Sequence, residues 1–289
     1  MKKEYLYAGI SIFCWSTAAT ATKLLLNGLN QFQLLWVNSF FAGLFLLAVN
    51  LFTGKLKELK QWKLKDYAIS ALCGIPGTFL YYVFYYAGAA RMDASHAFTV
   101  NYLWPIMSVV FACIILKEKM NLRKVLAIVV SFIGVAIVSF SKLSSFTTDM
   151  LFGTVLCLLA AVSYGSFTAL NCKIHYPKSL SMMINYAVTF TLTTLINGFR
   201  GELFIPEPLQ ALGMSWSGMF VMAAAGTLWI IALERGKTEK ISNLAYITPF
   251  LSLVWTTLLL HEEFNPLNLL GLAVIVAGIF IQFERRKKL

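Results

Sequence analysis

The stretch Val100-Asn101-Tyr102-Leu103-Trp104-Pro105 lies inside a long apolar run, yet it contains a carboxamide, a phenol, an indole and a proline. Proline inside a helix removes one backbone hydrogen bond and clashes with the preceding turn, so we expect the helix to bend here. A bent segment with polar and aromatic side chains is a poor surface for lipid tails. The stretch is therefore predicted to form a cavity wall, around which the rest of the chain is arranged.

The surrounding chain has the composition of a membrane protein. It has 289 residues, of which 58% are hydrophobic and 13% charged, with a mean hydropathy of +0.72. Soluble domains carry about 25% charged residues. The apolar runs are near the ~20 residues that a helix needs to cross a bilayer core of about 30 Å. We predict an all-α integral membrane protein with ten transmembrane helices, called spans 1 to 10, at residues 4–26, 32–52, 67–90, 94–116, 123–140, 150–173, 180–197, 212–233, 238–260 and 267–283.

The positive charges are distributed unevenly across these spans. If the N-terminus lies inside, 20 of the 24 Lys and Arg residues fall on the inner side, as the positive-inside rule predicts. We therefore expect a multi-pass protein of the cell membrane, of the bacterial cytoplasmic type, with both termini in the cytoplasm. The net charge of +11 then reflects topology rather than nucleic-acid binding. The expected partners are the lipid bilayer and a small-molecule substrate, and the expected state is a monomer or weak homodimer.

Several kinds of functional group are missing from the sequence. No Asp or Glu lies in the middle of a span, which argues against proton-coupled antiport of cationic drugs by the small-multidrug mechanism. The chain has no nucleotide-binding fingerprint, no HExxH or GxSxG motif and no paired carboxylates. Its five cysteines lack metal-ligand spacing. We therefore predict that the protein is not an enzyme and binds no cofactor and no metal.

The chain contains an internal repeat. Tyr102, Pro105 and Glu118 recur as the same residue types 144 positions later, as do Asn121 and Gly134. Each repeat has five spans, an odd number, so the second copy should be inverted relative to the first. Inverted repeats are typical of transporters that bind substrate at the repeat interface, although duplication for packing alone is the alternative. The predicted repeats cover residues 1–142 and 150–289, around a central cavity.

Ten spans in five-plus-five halves, with a Pro-then-Glu helix in each half, resemble the drug/metabolite transporter superfamily in its EamA-like branch. Within it, Trp15-Ser16-Thr17 and the stretch from Val100 to Pro105 look like the bacterial aromatic amino acid exporters. The resemblance implies a basket of ten helices whose cavity is lined mainly by spans 1, 3, 4, 6, 8 and 9.

The candidate substrate ligands are polar or aromatic residues within the spans. Lys23 is a cation inside span 1, which suggests that it binds a substrate carboxylate, or else that it snorkels to the headgroups. His96 near the outer end of span 4 is a possible proton relay or a hydrogen-bonded helix-end residue. The full predicted set of substrate-binding residues is Lys23, Tyr81, Asn101, Trp104, Tyr164, Asn171, Trp229, Asn243 and Tyr246.

Prolines and glutamates recur at the ends and bends of spans. A carboxylate at a helix C-terminus opposes the helix dipole, so each glutamate should have a compensating donor. Lys117 and Lys119 are the candidates for Glu118, and His261 is the candidate for Glu262. We assign gating or structural roles to Pro76, Pro105, Glu118, Pro249 and Glu262.

These observations predict a secondary transporter that exports small metabolites, foremost aromatic or other neutral amino acids, by alternating access. The sequence leaves two alternatives open. One is a carrier of the same fold for another metabolite or drug, such as a nucleobase, a vitamin or a weakly charged compound. The other is a channel-like membrane protein without alternating access.

Overall fold

The computed structural model describes residues 3–140, 147–173, 176–235 and 244–281. Within these ranges the chain is helical and contains no β-strand, which confirms the predicted all-α class. The helices up to residue 140 are α1 Lys3–Ser16, α2 Ala18–Leu25, α3 Gln31–Phe52, α4 Leu64–Gly74, α5 Tyr81–Ala89, α6 Ala94–Asn101, α7 Trp104–Ile115 and α8 Leu122–Phe140. The later helices are α9 Thr148–Cys172, α10 Lys178–Arg200, α11 Pro208–Ser215, α12 Ala225–Arg235, α13 Thr248–Leu260 and α14 Pro266–Ile281.

Six helical segments in the described residues are long and apolar enough to cross a membrane. They coincide with spans 2, 3, 4, 6, 7 and 8, at Gln31–Phe52, Leu64–Ala89, Ala94–Ile115, Thr148–Cys172, Lys178–Arg200 and Pro208–Trp229. Shorter helices lie within the other predicted spans. Membrane crossing by those four, and the inverted ten-helix arrangement, stay predictions.

Span 4 is interrupted where its sequence predicts a bend. Helix α6 ends at Asn101 and α7 begins at Trp104, so Tyr102 and Leu103 separate the two helices. Pro105 is in the first turn of α7, where its missing N–H costs no helical hydrogen bond. The helix is therefore interrupted at Tyr102 and Leu103, just before Trp104 and Pro105, and the predicted bend itself stays a prediction.

Spans 3 and 8 each contain a π-helical segment. These segments are Ile75–Leu80, which includes Pro76, and Trp216–Ala224. Gly74 immediately precedes the first segment and Gly218 lies within the second, and each glycine is in close contact with a neighbouring helix. A Cβ atom on Gly74 would lie 2.2 Å from Asn185 Cγ, and one on Gly218 would lie 2.4 Å from the carbonyl oxygen of Asn38. Larger side chains at either glycine would separate the packed helices.

Helices α8 and α14, in spans 5 and 10, pack closely against each other at glycines. A Cβ atom on Gly134 would lie 2.6 Å from the carbonyl oxygen of Gly271, and one on Gly278 would lie 2.9 Å from that of Ala127. The Ser131 hydroxyl donates to the carbonyl of Ile275 between these contacts, at 3.3 Å. Residue numbers rise along one helix as they fall along the other, so the two helices are antiparallel.

Spans 2 and 7, like α8 and α14, make one contact twice, with the two helices exchanging roles. Asn50 Nδ2 donates to the carbonyl of Ser179 at 3.2 Å, and Asn197 Nδ2 donates to the carbonyl of Phe32 at 3.1 Å. Adding 147 to Asn50 and Phe32 gives Asn197 and Ser179. The same hydrogen bond is thus made twice, once in each direction across an antiparallel helix pair.

Loops that follow odd-numbered spans carry polar contacts between the two halves of the chain. Arg91 Nε lies 3.3 Å from Asp149 Oδ1, and Asn30 Nδ2 donates to Glu202 Oε2 at 2.9 Å. The Arg200 guanidinium, 2.8 Å from the Glu202 carboxylate, holds the pKa of that carboxyl below its usual range. These loops therefore tie the halves together at several points.

Candidate functional site

Four of the predicted substrate ligands come together in one cluster. Asn101 Nδ2 donates to the Tyr81 hydroxyl at 3.1 Å. The Tyr164 ring lies 4.8 Å from the Tyr81 ring and 5.1 Å from the Trp104 ring, which it meets edge-on at 86°. The cluster joins spans 3, 4 and 6, so both halves of the chain contribute to it. We call Tyr81, Asn101, Trp104 and Tyr164 the aromatic site.

The interruption of span 4 lies within the aromatic site. Asn101 is the last residue of α6 and Trp104 is the first residue of α7. Interrupted membrane helices present backbone groups and the ends of their dipoles to bound solutes. The N-terminus of α7 carries a partial positive charge, which favours an anionic or hydrogen-bond-accepting group beside Trp104.

Two buried oxygens near this site lack a hydrogen-bond partner among the described residues. They are Asn101 Oδ1 and the hydroxyl of Tyr85, whose ring stacks on Tyr81 at 6.0 Å and an interplanar angle of 4°. An unpaired buried polar atom costs about 1–3 kcal/mol. The Tyr81 oxygen accepts from Asn101, so its own proton remains available. A ligand that supplies donors and an acceptor would satisfy these groups.

Lys23 binds backbone carbonyl oxygens and not a side chain of the aromatic site. Its ammonium donates to the carbonyl oxygens of Ala89, at 3.1 Å, and Met92, at 2.6 Å. Ala89 is the last residue of α5 and Met92 follows it by three positions, so the ammonium lies at a helix C-terminus, where the helix dipole favours a cation. In this conformation the ammonium therefore stabilises a helix end.

The remaining predicted ligands that the structure describes have other partners. Asn171 is at the end of α9, where its carbonyl accepts from Lys178 Nζ at 2.6 Å. Trp229 packs against Trp15 at 5.4 Å, and the Tyr246 ring lies 4.6 Å from the Phe280 ring. Asn243 lies outside the described residues.

Two aromatic residues next to the predicted ligands were not in the predicted set. Tyr85 follows Tyr81 by four positions and therefore shares its helix face. Trp15 belongs to the Trp15-Ser16-Thr17 motif and contacts Trp229. Helical spacing was the available signal for Tyr85, whereas the contact of Trp15 required the tertiary structure.

The predicted gating residues occupy helix ends and bends. Pro249 is in the first turn of α13, as Pro105 is in that of α7. Glu118 Oε2 accepts from Lys124 Nζ at 2.9 Å, and Glu262 accepts from the backbone N–H groups of Ala94 and Ser95. The expected donors Lys117, Lys119 and His261 were therefore wrong, because the loop geometry brings other groups to each carboxylate.

The proposed relay residue His96 is fully buried in α6, close in sequence to the residues that contact Glu262. Within the described ranges, no three His, Cys, Asp or Glu side chains come together as metal ligands would.

Comparisons with known proteins agree with this architecture. The EamA-like transporter family model matches residues 2–140 and again residues 151–283. An uncharacterized transporter of Archaeoglobus fulgidus is 24% identical over 98% of this chain and all of its own length. One from Clostridium kluyveri is 24% identical over all of this chain and 95% of its own.

A third relative, the uncharacterized transporter YvbV of Bacillus subtilis, is 26% identical over 81% of this chain and 75% of its own. A solved crystal structure with 20% identity covers 96% of this chain and 95% of its own, with a TM-score of 0.68, which shows a shared fold. Since the family model matches nearly the whole chain in two copies, this membrane protein belongs to the EamA-like transporter family.

Proposed function

We propose that the protein is a secondary transporter that exports aromatic or other neutral amino acids across the cytoplasmic membrane by alternating access. The observation that carries this proposal is the interrupted span 4. Its two helix ends carry Asn101 and Trp104, and both residues belong to a cluster of neutral aromatic and hydrogen-bonding side chains.

The aromatic site offers a complementary group for each part of such a substrate. Trp104 and Tyr164 supply rings for an aromatic or apolar side chain, and an aromatic contact contributes about 0.5–1.5 kcal/mol beyond area burial. Asn101 Oδ1 is an acceptor for the amino group. The N-terminus of α7 and the Tyr81 hydroxyl are candidates for holding the carboxylate.

The reciprocal helix contacts support alternating access. The contacts of spans 5 and 10, and of spans 2 and 7, are repeated with the roles of the halves exchanged. An approximate two-fold axis relating antiparallel helices would produce this pattern, which is the geometry of an inverted repeat. The two π-helical segments, at matching positions of spans 3 and 8, would then bend the chain equivalently in each half.

Counterflow in proteoliposomes tests the proposed transport. Vesicles preloaded with unlabelled phenylalanine or tryptophan should take up the labelled amino acid faster than empty vesicles, because a carrier exchanges substrate without net flux. A channel would equilibrate the label without this acceleration. The same assay with an imposed pH gradient tests His96, since uptake that ignores the gradient would contradict a proton relay.

Lys23 provides a second test. We expect Lys23→Gln to lower the thermal stability of the protein, because two carbonyl oxygens lose an ammonium partner. Substrate affinity, measured by tryptophan fluorescence titration, should stay within about threefold of the native value. An affinity loss of tenfold or more, confined to ligands with a carboxylate, would show that Lys23 binds substrate in another conformation.

A second candidate function follows from the neutrality of the site. The four side chains of the aromatic site carry no charge, and Lys23 is engaged by carbonyl oxygens. This combination favours an uncharged planar solute, such as a nucleobase or a vitamin. A thermal-shift screen separates the two candidates: stabilisation by nucleobases but by no amino acid would favour the second.

A further inference from the structure

The loops that carry Glu118 and Glu262 have the same backbone geometry. Lys117 and His261, each immediately before the glutamate, adopt left-handed conformations with φ of 59° and 53°. The N–H of Glu118 donates to the carbonyl of Ala112, and that of Glu262 to the carbonyl of Thr256, both at 3.4 Å. Every residue in the second loop lies 144 positions after its counterpart. The backbones of Glu118 and Glu262 therefore occupy equivalent positions in the two halves.

Their side chains nevertheless have different partners. Glu118 accepts from Lys124, which follows it by six positions in the same half, at 2.9 Å. The residue that corresponds to Lys124 in the second half is Asn268, which has no charge and is 4% exposed. Glu262 instead contacts the first half, where its two carboxylate oxygens accept from Ala94 N at 2.6 Å and Ser95 N at 3.1 Å.

The N-terminus of α6 is suited to receive this carboxylate. The first turn of a helix has backbone N–H groups without helical partners, and the helix dipole favours a negative charge there. The side chain of Asp93, at the N-cap position, makes no capping hydrogen bond. Glu262 therefore provides the cap from the other half of the chain, through two charge-assisted hydrogen bonds.

We infer that the residue six positions after each glutamate decides which glutamate fastens the two halves together. Lys124 retains Glu118 within its own loop, whereas Asn268 leaves Glu262 to cap α6. The Glu262 contact is a latch that must break when the halves separate at this end of the molecule. This role in the transport cycle rests on the proposed alternating access, but the effect of position 268 on the latch does not.

Hydrogen–deuterium exchange of the purified full-length protein tests the latch directly. Glu262→Ala removes both acceptors, and we expect exchange at the amides of residues 94 and 95 to become at least tenfold faster. Asn268→Lys should approach the same rate, because its ammonium would hold Glu262 as Lys124 holds Glu118. Asn268→Met, of similar length but uncharged, and Lys124→Gln should leave these amides protected.

Unchanged exchange at residues 94 and 95 in Glu262→Ala would overturn the inference. This test remains available if Asn268→Lys fails to fold, because Glu262→Ala leaves Asn268 in place. Equal acceleration by Asn268→Met and Asn268→Lys would also overturn it, since charge would then be irrelevant. Counterflow in the same samples separates the two proposals. If the amides of residues 94 and 95 exchange faster in Glu262→Ala but the native protein shows no amino acid counterflow, the latch is retained and the proposed transport is rejected.

Discussion

Replacing Trp104 by alanine is expected to lower substrate affinity by about 10- to 100-fold and to abolish counterflow at low substrate concentration. The variant removes the ring that meets Tyr164 at 5.1 Å. One aromatic contact contributes about 0.5–1.5 kcal/mol, and 1.4 kcal/mol corresponds to a tenfold change in the dissociation constant. Loss of the buried apolar area of the indole adds to this effect. Equilibrium binding to detergent-solubilised protein measures the change.

Two further variants make this measurement specific. Trp104→Phe keeps a ring and should recover most of the affinity for phenylalanine. Trp36→Ala is the matched control, because Trp36 lies between spans 2 and 7, where it stacks on Phe190 and donates to Thr194 at 2.8 Å. It should reduce stability with little change in affinity. Native affinity in Trp104→Ala would place the substrate outside the aromatic site.

Replacing Gly134 by alanine should destabilise the protein by about 1–3 kcal/mol, the usual cost of overpacking a close contact. The added Cβ would lie 2.6 Å from the carbonyl oxygen of Gly271, which belongs to helix backbone and cannot move alone. Helices α8 and α14 would have to separate. The apparent melting temperature in detergent should fall by about 5 °C.

Gly43→Ala is the control for this prediction. A Cβ atom on Gly43, in the interior of α3, meets no atom within 4 Å. Alanine is favoured over glycine in helix interiors by roughly 0.5–1 kcal/mol, so this variant should be as stable as the native protein or more so. If both variants shifted the melting temperature alike, the glycine contact between α8 and α14 would not be the cause.

The sequence was most informative where structure depends on local chemistry. The apolar runs predicted helices, and span 4 is interrupted next to Pro105, because proline lacks an N–H group and is tolerated in the first turn of a helix but not in its interior. The 144-residue shift predicted equivalent loops, and Glu118 and Glu262 do share one backbone geometry. The π-helical segments were only partly predictable, since Gly74-Ile75-Pro76-Gly77 indicates a kink but Trp216–Ala224 contains no proline.

The candidate site was predicted less completely. Tyr81, Asn101, Trp104 and Tyr164 meet, but Lys23, Asn171, Trp229 and Tyr246 have other partners. Helical spacing shows which residues share a face of one helix. It does not show which neighbouring helix that face meets, and for Lys23 that neighbour supplied two carbonyl oxygens.

A helical membrane protein with two related halves and an interrupted fourth span could be read from the residues alone, because hydropathy, charge placement and proline act over a few neighbouring residues. The partners of the two glutamates, in contrast, depend on how the helices pack in three dimensions. The loops are equivalent in sequence and backbone, yet Glu118 pairs within its half and Glu262 crosses to α6. That difference depends on a residue six positions away and on a helix end 168 positions away, which only the folded chain brings together.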